Sequence, residues 1–196
     1  MDIMIGPSKN FNRNIIACII GNAFEWYDFI LFGALATIIS QLFFPEDNFQ
    51  IGLLKTYGLF AAGFIMRPFG SLILGFLGDK YGRKPALIIS ILLMAIPTTA
   101  IGLLPTYENI GFYAPLLLIT LRLIQGFAMG GEYSGSMVFL FEHAPEHKKG
   151  FYTSWVDCGC LIGVLCGTLI TLILNTYLTQ PNFLAWGWRL PFILSS

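Results

Sequence analysis

Five stretches of the chain are apolar over membrane length, and polar side chains break into them at only a few places. Roughly 20 helical residues cross a hydrocarbon core. Runs of that order lie at 15–43, 57–78, 86–105, 114–140 and 153–175, and a sixth starts near Trp188 and stops at Ser196. Leu and Ile dominate them without the strict alternation of a membrane strand, which predicts helices rather than barrel strands. The first run is too long for a signal-peptide core and has no small-residue cleavage site. The expected fold is all-α and integral to the membrane, with five full transmembrane helices plus the start of a sixth.

Composition agrees with this pattern. Apolar residues make up 56% of the 196 residues and charged residues 11%, against about 25% charged in an ordinary soluble domain. The formal net charge is zero, so no basic field points to nucleic acid as a partner. The basic residues are unevenly placed. Lys9 and Arg13 precede the first run, Lys80, Arg83 and Lys84 separate the second from the third, and Lys148 and Lys149 separate the fourth from the fifth. The alternate loops hold only Lys55, with Arg189 at the edge of the sixth run. By the positive-inside rule the N-terminus is cytoplasmic.

Five charges lie inside the apolar runs: Glu25, Asp28, Arg67, Arg122 and Glu132. Each costs about 2.5–3.5 kcal/mol at the centre of a bilayer on insertion scales, so each is a candidate functional residue. Three acids against two arginines cannot all be neutralised by pairing, which leaves one carboxylate to hold a proton or to wait for substrate. Glu25 and Asp28 are three apart and are expected on one helix face. They read either as a polar cluster that orients the first helix or as a proton or substrate site in a cavity. Arg67, followed by Pro68 and Gly70, sits halfway along its run. Its planar fork suits a carboxylate, either of a substrate or of the first helix.

In the fourth run, LRLIQGFAMGGEYSG sets Arg122, Gln125 and Glu132 along one polar stripe. Gly126, Gly130, Gly131 and Gly135 thin the same helix for close packing. Gly159, Gly163 and Gly167 recur every fourth residue in the fifth run and predict another tight contact. Asp157, at the cytoplasmic end of that helix, reads as a local cap or pair. Cys18, Cys158, Cys160 and Cys166 lie within runs and lack metal-site spacing, so they read as small packing residues and no metal is expected. His143 and His147 flank Pro145 in a charged loop and read as solvated. No nucleotide-binding loop, catalytic triad or other cofactor site is present in the sequence, which argues against an enzyme.

The loop GFLGDKYGRKPAL carries the strongest local pattern. Gly75, Leu77, Gly78, Asp79, Lys80, Gly82, Arg83 and Lys84 resemble the cytoplasmic loop motif G-x-L-x-D-[RK]-x-G-[RK]-[RK] of the major facilitator superfamily. Arg122, Gln125 and Gly126 match its R-x-x-Q-G pattern in the fourth helix, where the resemblance implies that the arginine serves proton coupling. The Gly-rich run of the fifth helix lacks the Gly-Pro ending of antiporters, which favours symport or uniport. NAFEWYDF (22–29), LFFP (42–45), RPFG (67–70), RLIQGFAMGGEYSG (122–135) and WGWRLPF (186–192) are similar to the metabolite:proton symporter group, especially its proline/betaine transporters.

That resemblance implies proton-coupled symport of a small solute across a bacterial cytoplasmic membrane, with lipid, solute and protons as partners. Arg67, Glu25 and Asp28 would contact the solute; Arg122, Glu132 and Asp28 would couple protons. Other members of the group carry organic acids such as 2-oxoglutarate, citrate or shikimate, a second substrate class for this chain. Such transporters have twelve spans in two six-helix halves around a central site. Residues 1–196 correspond to the N-terminal half. The expectation is a half completed by a C-terminal-half chain or by self-association, or else a remnant inactive on its own.

Overall fold

The computed structural model describes residues 9–195, with side-chain detail except at residues 9–14, 83 and 84. The basic side chains of Lys9, Arg13, Arg83 and Lys84 therefore lie outside the described part of the structure, as does Ser196. Among the described residues the chain is almost entirely helical, without strands. Five helical segments are long and apolar enough to cross a membrane: Ile15–Ala34, Phe49–Tyr81, Pro85–Leu103, Tyr113–His143 and Glu146–Tyr177.

The first span consists of α1 (Lys9–Ala34) and α2 (Ala36–Phe43). Leu35 departs from helical geometry with ψ of 9°, but its N–H still donates to Leu31 O at 2.9 Å. Ile39 N–H donates to Leu35 O at the same distance, so the ladder runs through the break.

The next helix, α3 (Phe49–Tyr81), begins inside what reads as a loop. Asn48 caps it: the side-chain oxygen accepts from Gln50 N–H at 2.9 Å, satisfying one of the donors a helix start leaves open. Polar Gln50 and Lys55 hide this first turn from a hydropathy reading.

Gly82, at φ 100° and ψ 150°, ends α3 and starts α4 (Arg83–Leu103). That backbone region is almost closed to residues with a side chain. Of the loop glycines only Gly82 makes the turn; Gly78 is buried, and a Cβ on Gly75 would meet nothing within 4 Å. After a short α5 (Tyr107–Ile110) come α6 (Tyr113–His143) and α7 (Lys149–Tyr177). The sixth helix starts earlier than its apolar run. It opens with α8 (Gln180–Asn182), widens to a π-turn over Phe183–Gly187 and continues as α9 (Arg189–Leu194).

Glycine decides which helices lie closest. A Cβ on Gly126 would fall on the backbone of Gly63, and one on Gly130 on the carbonyl of Arg67, so α6 lies directly against α3. A Cβ on Gly159 or Gly163 would likewise fall on the Ile19 or Ala23 carbonyl, so the four-residue glycine repeat of α7 rides on α1. An apolar core built around Phe32, Leu35, Phe43, Leu118, Trp188 and Phe192 closes one end of the bundle. Large apolar side chains such as Leu54, Leu72, Leu161 and Leu172 point outward, as lipid-facing positions require.

Candidate functional site

Glu25, Asp28, Arg122 and Glu132 are buried, with exposures of 1–3%, and Arg67 is half-buried. Glycine-mediated contact of α6 with α3 and of α7 with α1 encloses these polar residues between the helices. No salt bridge joins either arginine to any of the three acids. They divide instead into two groups.

Glu25 and Arg67 line one cavity of about 370 Å³ together with Trp26, Met129 and Tyr133. Glu25 Oε2 and Trp26 Nε1 are buried without a hydrogen-bond partner. Arg67 Nη2 lies 3.6 Å from Met129 Sδ, and its guanidinium stands 4.5 Å from the Phe64 ring centre and 5.2 Å from that of Phe29. Aromatic faces and a thioether thus hold the guanidinium, and its hydrogen-bonding fork meets no carboxylate. Tyr133 Oη donates to Asp157 Oδ1 at 2.9 Å, which ties the far wall to α7.

Asp28 does not line that cavity. It faces α4 and α9: Ser195 Oγ donates to Asp28 Oδ1 at 2.5 Å, and Thr98 Oγ1 lies 2.6 Å from Asp28 Oδ2. Thr98 Oγ1 also lies 2.8 Å from Met94 O, so its single hydrogen serves one acceptor at a time. The same oxygen accepts from Gln125 Nε2 at 2.6 Å, and Gln125 Oε1 accepts from Arg122 Nη1 at 3.2 Å. Phe32, at 4.4 Å, covers the Arg122 guanidinium, whose Nε is left without a partner. Arg122 therefore reaches Asp28 through two uncharged side chains.

Glu132 makes no hydrogen bond to either group, although it shares a cavity of about 150 Å³ with Asp28 and Ser195. Its carboxylate lies against Gly21, where Oε1 would be 2.5 Å from an added Cβ, and Oε2 has no partner. The expectation of one shared face for Glu25 and Asp28 therefore changes in detail. Residues three apart on a helix differ by about 60° in direction, enough to send one into each group.

Thr98, Ser195, Trp26 and Tyr133 complete the two groups and Gly21 backs Glu132; none of the five stands out in the sequence. Thr98 and Thr99 are neighbours in an apolar helix, and each hydroxyl also bonds its own helix, to Met94 O and Ala95 O. Only the helix packing separates them. The stripe of Arg122, Gln125 and Glu132 did carry a legible signal, and two of its members lie in the Asp28 network. The Gly75–Lys84 loop lies apart from both groups, where α3, α4 and α6 enclose a small space of about 80 Å³ lined by Gly75, Gly78 and Gly135.

Residues 13–196 match the model of the sugar (and other) transporter family. The chain is 41% identical over 194 residues to the glycine betaine/proline/ectoine/pipecolic acid transporter OusA of Dickeya dadantii, covering 99% of this chain and 39% of that protein. It is 40% identical over 194 residues to the proline/betaine transporter of Escherichia coli K12, again over 99% of this chain and 39% of the relative. With the shikimate transporter of Escherichia coli K12 it shares 41% identity over 184 residues, 93% of this chain and 42% of that one. The chain thus spans about two fifths of the length of these relatives.

Among solved structures, the proton:xylose symporter XylE of the major facilitator superfamily superposes with a TM-score of 0.84 at 16% identity, over 96% of this chain and 42% of that one. An inward-open form of XylE from E. coli gives 0.80 at 17% identity, over 94% and 44%. These similarities establish the fold, a multi-pass arrangement matching the N-terminal part of such a transporter. Family and relatives are membrane transporters, not enzymes. This chain belongs to the sugar (and other) transporter family.

Proposed function

We propose that the chain forms the N-terminal part of a proton-coupled symporter for a small zwitterionic solute such as proline or glycine betaine, in a bacterial inner membrane with its N-terminus cytoplasmic. One observation carries this reading. In a single cavity, the unpartnered carboxylate oxygen of Glu25 and the carboxylate-free fork of Arg67 stand ready beside the rings of Trp26 and Tyr133. An amino-acid-like solute offers the opposite pair of charges. Its carboxylate suits Arg67 bidentately, and its ammonium suits Glu25 and the aromatic faces. The names of the relatives favour the same solute class.

Coupling falls to the other polar residues. Arg122 acts on Asp28 through Gln125 and Thr98, so a change in charge at Asp28 is felt in α4 and α6 together. Glu132 is the further proton carrier. Proton gain and loss at these carboxylates would then be linked to solute occupancy by the helix they share, α1. A facing set of helices, from a C-terminal-half chain or from a second copy, would cover the solute cavity.

The shikimate transporter among the relatives supports a second reading, an organic-acid solute. The two readings differ at Glu25. A zwitterion needs its charge, whereas an organic anion is bound better without it. The test is uptake of labelled proline, glycine betaine and shikimate by cells producing the protein, with and without a protonophore, for the unaltered protein and for Glu25→Gln. Betaine uptake that falls with the protonophore and with Glu25→Gln bears out the first reading. Shikimate uptake that survives Glu25→Gln selects the second; where nothing is taken up, a purified chain that binds none of the three solutes rejects both.

A further inference from the structure

A sulfur atom sits in the solute cavity, on the very group that would hold the solute. Met129 lines the cavity beside Glu25, Trp26 and Arg67, and Arg67 Nη2 donates to its Sδ at 3.6 Å. The side chain also packs with Met94 and Ala128 in one apolar cluster, against Phe29 and Leu93. Leucine would fill that cluster nearly as well, since Leu and Met exchange with little loss of packing. What leucine lacks is the sulfur, a weak hydrogen-bond acceptor. A weak acceptor steadies the Arg67 fork and still yields it to a carboxylate, which bonds a guanidinium more strongly.

The same sulfur is open to chemistry. Peroxide oxidises a thioether to a sulfoxide, and methionine sulfoxide reductases reverse the change. Access needs room for a molecule little larger than water, which itself takes about 10–15 Å³ of such volume. Met129 is only 5% exposed, but the cavity it lines, of about 370 Å³, supplies that room. In the reaction a sulfur lone pair attacks one oxygen of hydrogen peroxide. The S–O bond forms as the O–O bond breaks, and the hydrogen of the transferred oxygen leaves with the other oxygen as water. Sulfur gives up two electrons and the peroxide takes them. The product carries a polar oxygen, a strong acceptor, on the atom that Arg67 already meets.

We propose that Met129 is a reversible oxidation site that blocks the solute cavity: as the sulfoxide, its oxygen accepts from the Arg67 fork and withholds that fork from the solute carboxylate. The consequence for solute rests on the reading given under Proposed function. The oxidation itself, and its effect on Arg67, are measurable with no solute present.

The purified chain in detergent is exposed to graded hydrogen peroxide, and sulfoxide at Met66, Met94, Met129 and Met137 is read by peptide mass spectrometry. Catalase then removes the peroxide, and the reaction of Arg67 with phenylglyoxal, a reagent for free guanidinium groups, is followed in the same way. Arg67 labelling should fall in step with the sulfoxide at Met129. In Met129→Leu, compared with itself before and after peroxide, Arg67 labelling should not change. In Met129→Gln, whose amide oxygen imitates the sulfoxide, labelling should be low before any peroxide is added. Should the leucine variant not fold, the dose courses of the four methionines in the unaltered chain decide. Equilibrium dialysis with labelled glycine betaine and proline reads the consequence, an affinity about tenfold lower after oxidation, the scale of one hydrogen bond to a charged group. A chain that binds neither solute before peroxide refutes the solute reading, and the Arg67 labelling then judges the oxidation site by itself. Met129 that resists peroxide, Arg67 labelling that ignores its sulfoxide or changes equally in Met129→Leu, or solute affinity untouched by full oxidation of Met129 overturns the proposal.

Discussion

Arg122 and Asp28 are connected without touching: Arg122 Nη1 donates to Gln125, Gln125 Nε2 to Thr98, and the Thr98 hydroxyl lies 2.6 Å from Asp28 Oδ2. Charges on α1 and α6 are thereby linked through a hydroxyl on α4. A direct ion pair would hold two helices together; this relay holds three. Its weak point is the hydroxyl, because loss of Thr98 deprives both Gln125 Nε2 and Asp28 Oδ2 of a partner.

Thr98→Val is therefore expected to destabilise the chain by about 1–3 kcal/mol, the cost of stranding buried hydrogen-bonding groups. Thr98→Ser should keep most of the stability. Thr99→Val is the internal comparison, since the Thr99 hydroxyl bonds Ala95 O on its own helix. Thermal unfolding in detergent, followed by circular dichroism, ranks the three variants. Equal melting temperatures for Thr98→Val and Thr99→Val would mean that the relay contributes nothing.

Arg67→Lys tests the solute cavity. Lysine keeps the charge but not the planar fork, and it stacks less well between Phe29 and Phe64. Apparent affinity for betaine or proline should fall about tenfold, equivalent to about 1.4 kcal/mol. Quenching of Trp26 fluorescence on titration with solute measures it. An unchanged affinity would make Arg67 a packing residue.

The turn at Gly82 gives a sharp contrast with Gly75. Gly82 has a φ of 100°, so Gly82→Ala should cost about 1–3 kcal/mol through backbone strain, even though a Cβ there would meet only Pro85 Cδ at 3.8 Å. Gly75→Ala, on an open helix face, should be neutral or slightly stabilising. Melting temperatures of the two variants in the same detergent decide this. A larger loss at Gly75 would contradict the conformational argument.

Orientation is testable by position. Lys80, at the end of α3, and Lys148, before α7, should both face the cytoplasm if the basic loops obey the positive-inside rule. Single cysteines at 80 and 148, in a protein stripped of its own cysteines, should react with an impermeant maleimide only after the cells are opened. Reaction in intact cells would invert the topology.

Much of this protein is written locally. Membrane-length apolar runs need nothing beyond composition to become helices, because backbone groups in lipid must bond within their own segment. The buried charges announce themselves by their cost, and the Gly75–Lys84 loop by its order of glycine and charge. What those residues touch is another matter. That Glu25 meets Arg67's cavity while Asp28, three residues on, meets Thr98 and Ser195 depends on how α3, α4, α6 and α9 pack around α1. So does the placement of Glu132 against Gly21. A charge count says that three acids cannot all pair with two arginines; only the packing across helices, set by glycines that let backbones meet, decides what each acid touches.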